Sequence, residues 1–338
     1  MTKKTDFTRI LIETTVRRTL DKIHESPERE TRNLVDFGLN FTKGRFQKLF
    51  LETTQKMLRN EESAYYTLVK NTVSCVDEDR LVTFGINLGY DGCTKGANTI
   101  REIEAQRHFN IPWSLRLVIN EKKLESDPSF YLSVLKQGVM LGIHTYLLSM
   151  TGDPSKVIPL LKSQPNCAFI LFLHGSQITD SFLTEFEPVH NVMISVYVDD
   201  QMPAACKALQ DARFLYAVHE CYTKKDREGI LNGSWLEKVL PARPYFAFLI
   251  PHTSCSKEIQ EEIYSYVISV RDSQKYPLIF MDVLHDSLLI DKVISDDVCM
   301  VGFDENGNME TTEGLCYTTE YNLYFHNLED ILQSSMAK

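Results

Sequence analysis

The chain has 338 residues, of which 43% are hydrophobic and 24% charged, and its formal net charge is −10. This composition is ordinary for a globular protein and excludes a disordered or collagen-like chain. The longest apolar stretches, residues 167–173 and 245–250, are far shorter than a membrane span. No basic block is long enough to predict nucleic-acid binding, and the N-terminus lacks the apolar core of a signal peptide. We therefore expect a soluble, cytoplasmic protein with neither a nucleic acid nor a membrane as its partner.

The eight cysteines are spread along the chain, and none of them forms a CxxC pair. A disulfide scaffold needs a higher cysteine density in a shorter, secreted chain. We expect most of these thiols to be reduced and buried, since cysteine packs like a small hydrophobic residue.

Residues 1–80 predict an α-helical region. Apolar residues recur at helical spacing over 7–24, and the same spacing continues over 32–58 and 63–74. Short glycine-containing breaks interrupt it at 36–39 and 42–45.

From residue 81 to residue 295, short apolar runs alternate with segments of helical composition. Strands are predicted at 81–88, 113–119, 143–149, 167–173, 192–198, 214–219, 245–251 and 277–283. Runs of this kind, separated by crossover helices, are typical of parallel strands covered by helices. Their spacing of about 25–30 residues suits βα units and predicts an α/β fold, a TIM-type (βα) barrel or partial barrel with sequential strand order. A flat doubly wound sheet is the competing fold, but no glycine-rich dinucleotide motif favours it.

Residues 296–338 predict a C-terminal β-hairpin followed by a helix. The turn is Glu305-Asn-Gly-Asn308, and Asn-Gly is a strong hairpin pattern. An amphipathic stretch over 327–336 predicts the closing helix.

In a parallel barrel the ligand site lies at the carboxyl ends of the strands. Polar side chains predicted near those ends are our candidates for ligand binding: Asn87, Tyr90, Asp91, Cys93, Asn120, His174, Asp199 and Glu220. Imidazole and carboxylate groups at several strand ends also allow a divalent-metal site. Its candidate ligands are His174, His219, His252, Asp282 and His285. Because no GxSxG or HExxH motif is present, no catalytic residue is assigned.

From residue 81 to about residue 325, the order of elements resembles the radical S-adenosylmethionine (radical SAM) enzymes that carry a SPASM-type C-terminal extension, including peptide-maturing members. In that family a first strand is followed by a CxxxCxxC loop, and here residues 83–89 are followed by Tyr90-Asp-Gly-Cys-Thr-Lys-Gly-Ala-Asn98. The family's second strand ends in a GGEP-like turn, and later strands end in TNG and "sldG" phrases. The corresponding segments are matched here to residues 117–123, to Ser149-Met-Thr-Gly152 and to Phe172-Leu-His-Gly175. The tail, with Cys299 and Cys316 flanking the hairpin, is similar to the SPASM-type extension.

The resemblance implies the scaffold without the radical chemistry. Cys93 alone stands where three cluster-binding cysteines are expected, and one thiolate cannot hold a 4Fe-4S cluster. The GGEP-like turn is missing from the matched segment, so neither a cluster nor S-adenosylmethionine is expected as a cofactor. Cys299 and Cys316 are then remnants of an auxiliary cluster site, and Cys93 is expected within about 10–12 Å of the axis of the barrel mouth.

Two functions follow from these observations. The first is a non-catalytic, pseudo-radical-SAM protein that acts as a binding or accessory component, with a peptide or a catalytically intact radical SAM enzyme as its partner. The alternative is a barrel enzyme, a hydrolase or an isomerase, that uses a divalent metal at the strand ends to activate water.

Overall fold

The computed structural model describes residues 6–23, 25–42, 44–295 and 297–338, without the side chain of Phe41. The first residues of the predicted helical and C-terminal regions, Met1 and Asp296, lie outside the described residues. So does His24, the last residue of the first predicted helix.

The N-terminal region is helical, as predicted. Its helices are α1 (Phe7–Ile23), α2 (Pro27–Phe41), α3 (Arg45–Met57) and α4 (Ala64–Cys75). Pro27 occupies the first turn of α2, where its missing N–H costs no hydrogen bond. Ser63 caps α4 by accepting a hydrogen bond from the Tyr65 backbone N–H at 3.2 Å.

The strand predicted at 81–88 is wrong, because this segment is helical. Helix α5 (Glu78–Ile86) continues into a π-helix, Asn87–Gly96, and then into α6 (Ala97–Arg107). Asp77 caps α5 by accepting a hydrogen bond from the Arg80 backbone N–H at 3.1 Å, and two acidic residues occupy its first turn. A short apolar run alone does not distinguish a buried helix from a buried strand, and these N-terminal features favour the helix.

The other seven predicted strands are present and parallel. They are β1 (Ser114–Asn120), β2 (Thr145–Thr151), β3 (Ala168–Leu173), β4 (Val192–Tyr197), β5 (Tyr216–Tyr222), β6 (Phe246–Pro251) and β7 (Ile279–Asp282). Each strand pairs with the next one in sequence. The sheet curls into a partial barrel, which confirms the predicted fold class.

The connections between the strands contain the helices that cover the outside of the sheet. They are α7 (Glu121–Ser126), α8 (Pro128–Leu141), α9 (Ile158–Ser163), α10 (Asp180–Phe186), α11 (Met202–Asp211), α12 (Arg227–Leu231), α13 (Ser234–Val239), α14 (Lys257–Ser273) and α15 (Val283–Ser295). The main hydrophobic core lies between these helices and the sheet.

The C-terminal segment extends the same sheet. Strand β8 (Val301–Phe303) pairs with β1 in parallel, and β9 (Met309–Thr311) and β10 (Gly314–Cys316) follow it antiparallel. The predicted hairpin is therefore confirmed between β8 and β9, with Gly307 at a φ of +78° in its turn. The closing helix is α16 (Leu328–Ser335). None of the described helices is both long and apolar enough to cross a membrane.

Helix α5 and the π-helix close the amino ends of the strands. The guanidinium of Arg80 donates to the backbone carbonyls of Val189, Phe186 and Glu187, which precede β4, and lies 3.8 Å from the centre of the Phe214 ring. The Asn87 amide donates to the carbonyls of Pro165 and Cys167, just before β3, at 2.8 and 2.9 Å. These contacts fix the N-terminal region to the end of the sheet opposite the expected ligand site.

Candidate functional site

The inner face of the curled sheet is the best candidate for a binding surface. In β1 and β3, alternate residues such as Leu117 and Leu171 are buried under the outer helices, whereas their neighbours Val118 and Phe172 are only half-buried. The strand registers place one set of side chains on this second face. The partly accessible side chains of the inner face include Arg116, Val118, Asn120, Ser149, Ile170, Phe172, Tyr197, Cys221, Phe246, Ile250, Ile279 and Met281, and its buried ones include Leu147, Met193, Ser195, Ala217, His219 and Phe248.

Aromatic rings from four neighbouring strands meet at the centre of the inner face. The Phe172 ring lies 4.9 Å from the His219 ring and 6.4 Å from the Phe248 ring, measured between centroids. The Tyr197 ring lies 5.6 Å from His219 in an edge-on arrangement. Offset and edge-on contacts are the favoured aromatic geometries, so these rings hold one another in place while Phe172 and Tyr197 keep part of their surface accessible.

His219 is uncharged at neutral pH. Burial and the nearby His174 ring together lower the pKa of His219 to about 3. Its Nδ1 lies 3.0 Å from the hydroxyl oxygen of Ser195, which is fully buried. This contact holds the His219 ring in place within the aromatic cluster.

One charged pair lies on the inner face. Arg116 of β1 forms an ion pair with Glu310 of β9 at 2.7 Å, and the Arg116 side chain keeps 46% of its surface exposed. Burial raises the pKa of the Cys221 thiol, and the positive charge of Arg116 opposes this shift. Arg116 thus brings an accessible cation into an otherwise apolar and aromatic surface.

Three predicted ligand-binding residues lie at the carboxyl ends of the strands, as expected. Asn120 caps α7 by accepting a hydrogen bond from the Lys123 backbone N–H at 3.2 Å, while its amide donates to the Glu305 carbonyl at 3.0 Å. Asp199 accepts hydrogen bonds from two backbone N–H groups of the following turn. His174 is exposed, and its Nδ1 lies 3.8 Å from an Asp199 carboxylate oxygen. These side chains form a polar rim above the aromatic cluster.

Four other predicted ligand-binding residues, Asn87, Tyr90, Asp91 and Cys93, lie at the opposite end of the strands. They belong to the π-helix, where a Cβ on Gly92 would lie 3.1 Å from the hydroxyl oxygen of Thr145, the first residue of β2. The expectation that Cys93 lies at the barrel mouth is therefore wrong. Its cause is the misassigned strand at 81–88, which placed the following loop at the carboxyl edge.

The side chains of this π-helix have structural partners. The Tyr90 hydroxyl donates to the Asp6 carboxylate at 3.1 Å, and Arg9 donates to Asp91 at 3.0 Å. Burial raises the pKa of Asp91, and the hydrogen bond from Arg9 opposes this shift. Burial also raises the pKa of Cys93 to about 12, so its thiol is protonated and inert at neutral pH.

Glu220, the remaining ligand-binding candidate, lies on the outer side of β5. Its carboxylate accepts a hydrogen bond from the indole N–H of Trp235 in α13, and burial raises the pKa of Glu220. Because the outer helices cover it, Glu220 does not reach the inner face.

The candidate metal ligands do not converge. Asp282 is fully buried, and its carboxylate lies 2.9 Å from Nδ1 of His285 and accepts a hydrogen bond from Tyr222 at 3.0 Å. His252 is exposed and bonds to Ser254 at 2.7 Å. Within the described ranges, no group of three or more His, Cys, Asp or Glu side chains has the arrangement of a metal site. Cys299, which is buried, and Cys316, which is half-buried, are both free thiols.

The sequence interpretation missed the aromatic residues of the inner face. Phe172 is the second-last residue of β3, and Tyr197 is the last residue of β4. The sequence does not determine on which face of the sheet each side chain lies. Arg116 was the more informative residue, because a charge within a parallel strand is unusual when both faces of the sheet are covered.

No protein-family model matches the sequence, and a search of curated proteins returns no match. Among solved structures, the chain is similar to Streptococcus suis SuiB bound to S-adenosylmethionine, with a TM-score of 0.50 and 11% sequence identity, over 70% of this chain and 67% of the SuiB chain. The fold is a radical-SAM-like partial barrel. Crystal structures of SuiB and of SuiB bound to its precursor peptide SuiA match at a TM-score of 0.49 and 11% identity, over 70% and 71% of this chain and 69% of the SuiB chain.

The segment that follows β1 uses its charged side chains in contacts within the chain. The sequence contains no cysteine between Cys93 and Cys167, whereas clusters are held by several thiolates. Glu121, the first residue after β1, forms an ion pair with Lys156 at 2.7 Å. The ammonium group of Lys123 lies 4.6 Å from the centre of the Phe130 ring. An ion pair and a cation–π contact therefore engage the charged side chains of the segment that follows β1.

The turn after β2 lies beside the segment that follows β1. Strand β2 is followed by Gly152-Asp-Pro154. Gly152 has a φ of +120°, a backbone conformation that favours glycine, and an added Cβ there would meet the Glu121 carboxylate. This turn packs directly against the segment that follows β1.

Proposed function

We propose that this chain is a cluster-free binding protein of radical-SAM-like fold, which takes an extended peptide on the inner face of its partial barrel. The observation that carries this proposal is the half-buried aromatic surface around Phe172 and Tyr197. In a protein interior such rings are normally covered, because burying an aromatic side chain is strongly favourable. Here they remain accessible beside an exposed arginine, Arg116.

The composition of the inner face favours a peptide over a small polar metabolite. Aromatic residues and arginine are the side chains that contribute most to protein–protein affinity. Arg116 offers a cation for a carboxylate, and the polar rim of Asn120, His174 and Asp199 offers hydrogen bonds at the carboxyl ends of the strands. A chain lying across the strands reaches both regions at once.

The absence of a cluster is the second part of the proposal. It is supported by the segment after β1, in which Glu121 and Lys123 are engaged by Lys156 and Phe130 and no cysteine is present. A chain with such a segment would not cleave S-adenosylmethionine reductively, because that reaction needs an electron from an iron–sulfur cluster. Its role would be to hold a peptide, alone or for a catalytically intact radical SAM enzyme.

A randomised display library of 12-residue peptides tests peptide binding. The full-length protein is the target, and selected peptides are then measured by fluorescence polarisation against three variants. We expect Phe172→Asp and Phe172→Ala to weaken binding at least tenfold. Phe325→Asp is the matched control, because Phe325 is exposed and lies outside the inner face, and it should leave affinity unchanged.

Two results would contradict the peptide proposal. One is a failure to enrich any binding peptide over repeated rounds of selection. The other is a set of peptides that bind Phe172→Asp and Phe172→Ala as tightly as the unmodified protein, while circular dichroism shows that both variants are folded.

A further inference from the structure

An apolar pocket lies between the N-terminal helices and the amino ends of the strands, far from the inner face's polar rim. Its volume is about 480 Å³, which lies within the range of about 300–1,000 Å³ typical of small-molecule sites. Helices α1 to α5 supply most of its lining. The remainder comes from the π-helix, with Leu88, Gly89 and Tyr90, and from the amino ends of β5, β6 and β7, with Leu215, Tyr245, Phe246 and Ile279.

The pocket lies where three groups of buried apolar side chains meet. Leu68 and Phe84 belong to the main core, Leu20 and Val82 to a second group under α1, and Leu51 packs against a third group between α2 and α4. All five side chains line the pocket. Among the described residues, no side chain fills the space between the groups.

Two glycines line the pocket where it opens to solvent. Gly85 in α5 is exposed and Gly89 in the π-helix is half-buried, and a Cβ added at either position would meet no atom within 4 Å. Glycine in a helix interior costs about 1 kcal/mol relative to alanine. A larger side chain has room at either position, where it would favour the helix and cover the pocket opening.

The lining defines the chemistry of the occupant. Among the described residues, no charged side chain lines the pocket, and its polar groups have partners within the chain. Gln47 accepts a hydrogen bond from Thr94 at 2.7 Å, the Thr72 hydroxyl donates to the Leu68 carbonyl at 2.8 Å, and Tyr90 donates to Asp6. Apolar cavities of even about 150 Å³ exclude water and bind apolar molecules.

We propose that this pocket binds the aliphatic chain of a lipid-like molecule, such as a long-chain fatty acid. The lining of leucine, isoleucine and valine side chains provides contact along a chain, while the polar head group remains in solvent. This site lies at the amino ends of the strands, where Phe246 and Ile279 belong to both the pocket and the inner face. It is distinct from the aromatic cluster and the polar rim, and it does not depend on the proposed peptide binding.

A fluorescent fatty acid, cis-parinaric acid, tests the proposal with the full-length protein. We expect saturable binding of one molecule per chain, displaced by palmitate. Gly85→Leu and Gly89→Leu each place a side chain over the pocket opening and should weaken binding at least tenfold. Gly229→Leu is the matched control, because Gly229 also lies in a helix, and an added Cβ there would have only an ordinary contact with Ser234 at 3.5 Å.

The outcomes distinguish binding in the pocket from binding elsewhere on the protein. The pocket proposal is supported if Gly85→Leu and Gly89→Leu abolish fatty-acid binding. Gly229→Leu and Phe172→Asp should leave that binding unchanged. Thermal unfolding by circular dichroism should show both pocket variants at least as stable as the unmodified protein. Absent or non-saturable binding of the fatty acid overturns the proposal. So does an affinity in both pocket variants that equals the affinity of the unmodified protein. The proposal is also overturned if the protein binds no free fatty acid but attaches to phosphatidylcholine vesicles, and if both pocket variants attach to them as well.

Discussion

The two ends of the parallel strands use their polar residues differently. At the amino ends, Arg80, Asn87 and Asp291 are buried and bind backbone groups of the segments that lead into the strands. At the carboxyl ends, His174 and Asp199 are at least partly accessible, and Arg116 is exposed on the inner face. Buried groups with fixed partners stabilise a fold, whereas accessible groups remain free to bind a ligand. The comparison predicts that stability depends on the amino ends and binding on the inner face.

Removal of Arg80 should have the largest effect on stability. Arg80→Ala leaves three backbone carbonyls of the segment before β4 without their donor, two of them in buried hydrogen bonds, and removes the contact with Phe214. We expect the free energy of unfolding to fall by about 4 kcal/mol, measured by urea denaturation. Arg107→Ala is the control, since Arg107 pairs with Glu329 at the surface and should cost less than about 1 kcal/mol. An equal loss of the free energy of unfolding in the two variants would contradict the proposed difference between the two ends of the strands.

Asp291 should make stability depend on pH. Its carboxylate accepts hydrogen bonds from the Trp113 and Cys299 backbone N–H groups, before β1 and β8. Burial raises the pKa of Asp291 from 3.8 to about 7. Between these values the unfolded chain has released the proton while the folded chain retains it, so the free energy of unfolding falls as pH rises from about 4 to about 7, by roughly 3 kcal/mol.

Chemical denaturation at several pH values tests the role of Asp291. Asp291→Asn should remove this component of the pH dependence, whereas Asp272→Asn, at an exposed position, should retain it. A pH profile that Asp291→Asn leaves unchanged would contradict the assignment.

Cys93→Ser should have a moderate effect. The sequence predicts Cys93 in a loop at the barrel mouth, but its side chain is buried in the π-helix with an exposed fraction of 6%. A serine hydroxyl there loses its hydrogen bonds to water, which costs about 1–2 kcal/mol. Thermal unfolding of the variant measures this effect, and an unchanged melting temperature would show that the site is accessible to water.

Arg116→Ala should change stability least. Arg116 is half-exposed, and its ion pair with Glu310 is open to solvent screening, so we expect a loss of at most about 1 kcal/mol in urea denaturation. The same variant should weaken the binding of selected peptides that carry an acidic residue. A large loss of stability would place Arg116 among the structural residues of the fold.

The sequence was sufficient to predict most of the fold. Seven apolar runs, including 167–173 and 245–251, are strands because each is too short for a buried helix and is bounded by turn residues. The run at 81–88 has the same composition, but Asp77 caps it as a helix. The adjoining glycines 89, 92 and 96 were interpreted as a loop, whereas they belong to a π-helix, a rare element without a sequence pattern of its own.

The candidate site was harder to predict, because a shift of one residue moves a strand's side chains to the other face. Asn120, His174 and Asp199 lie at the carboxyl ends of the strands as predicted, because polar residues at the end of an apolar run mark where a strand ends. Phe172 and Tyr197 lie within strands and looked like core residues. Only the three-dimensional structure shows that the sheet stays open and leaves these rings accessible.

Anaerobic reconstitution with iron and sulfide tests the central claim most directly. If the radical-SAM-like barrel holds no cluster, the full-length protein should retain fewer than about one iron per chain, with no absorption band near about 400 nm. It should also leave S-adenosylmethionine intact in the presence of dithionite. A stoichiometric 4Fe-4S cluster that supports cleavage of S-adenosylmethionine would contradict the account, and it would make the inner face the site of a radical reaction rather than a surface for binding alone.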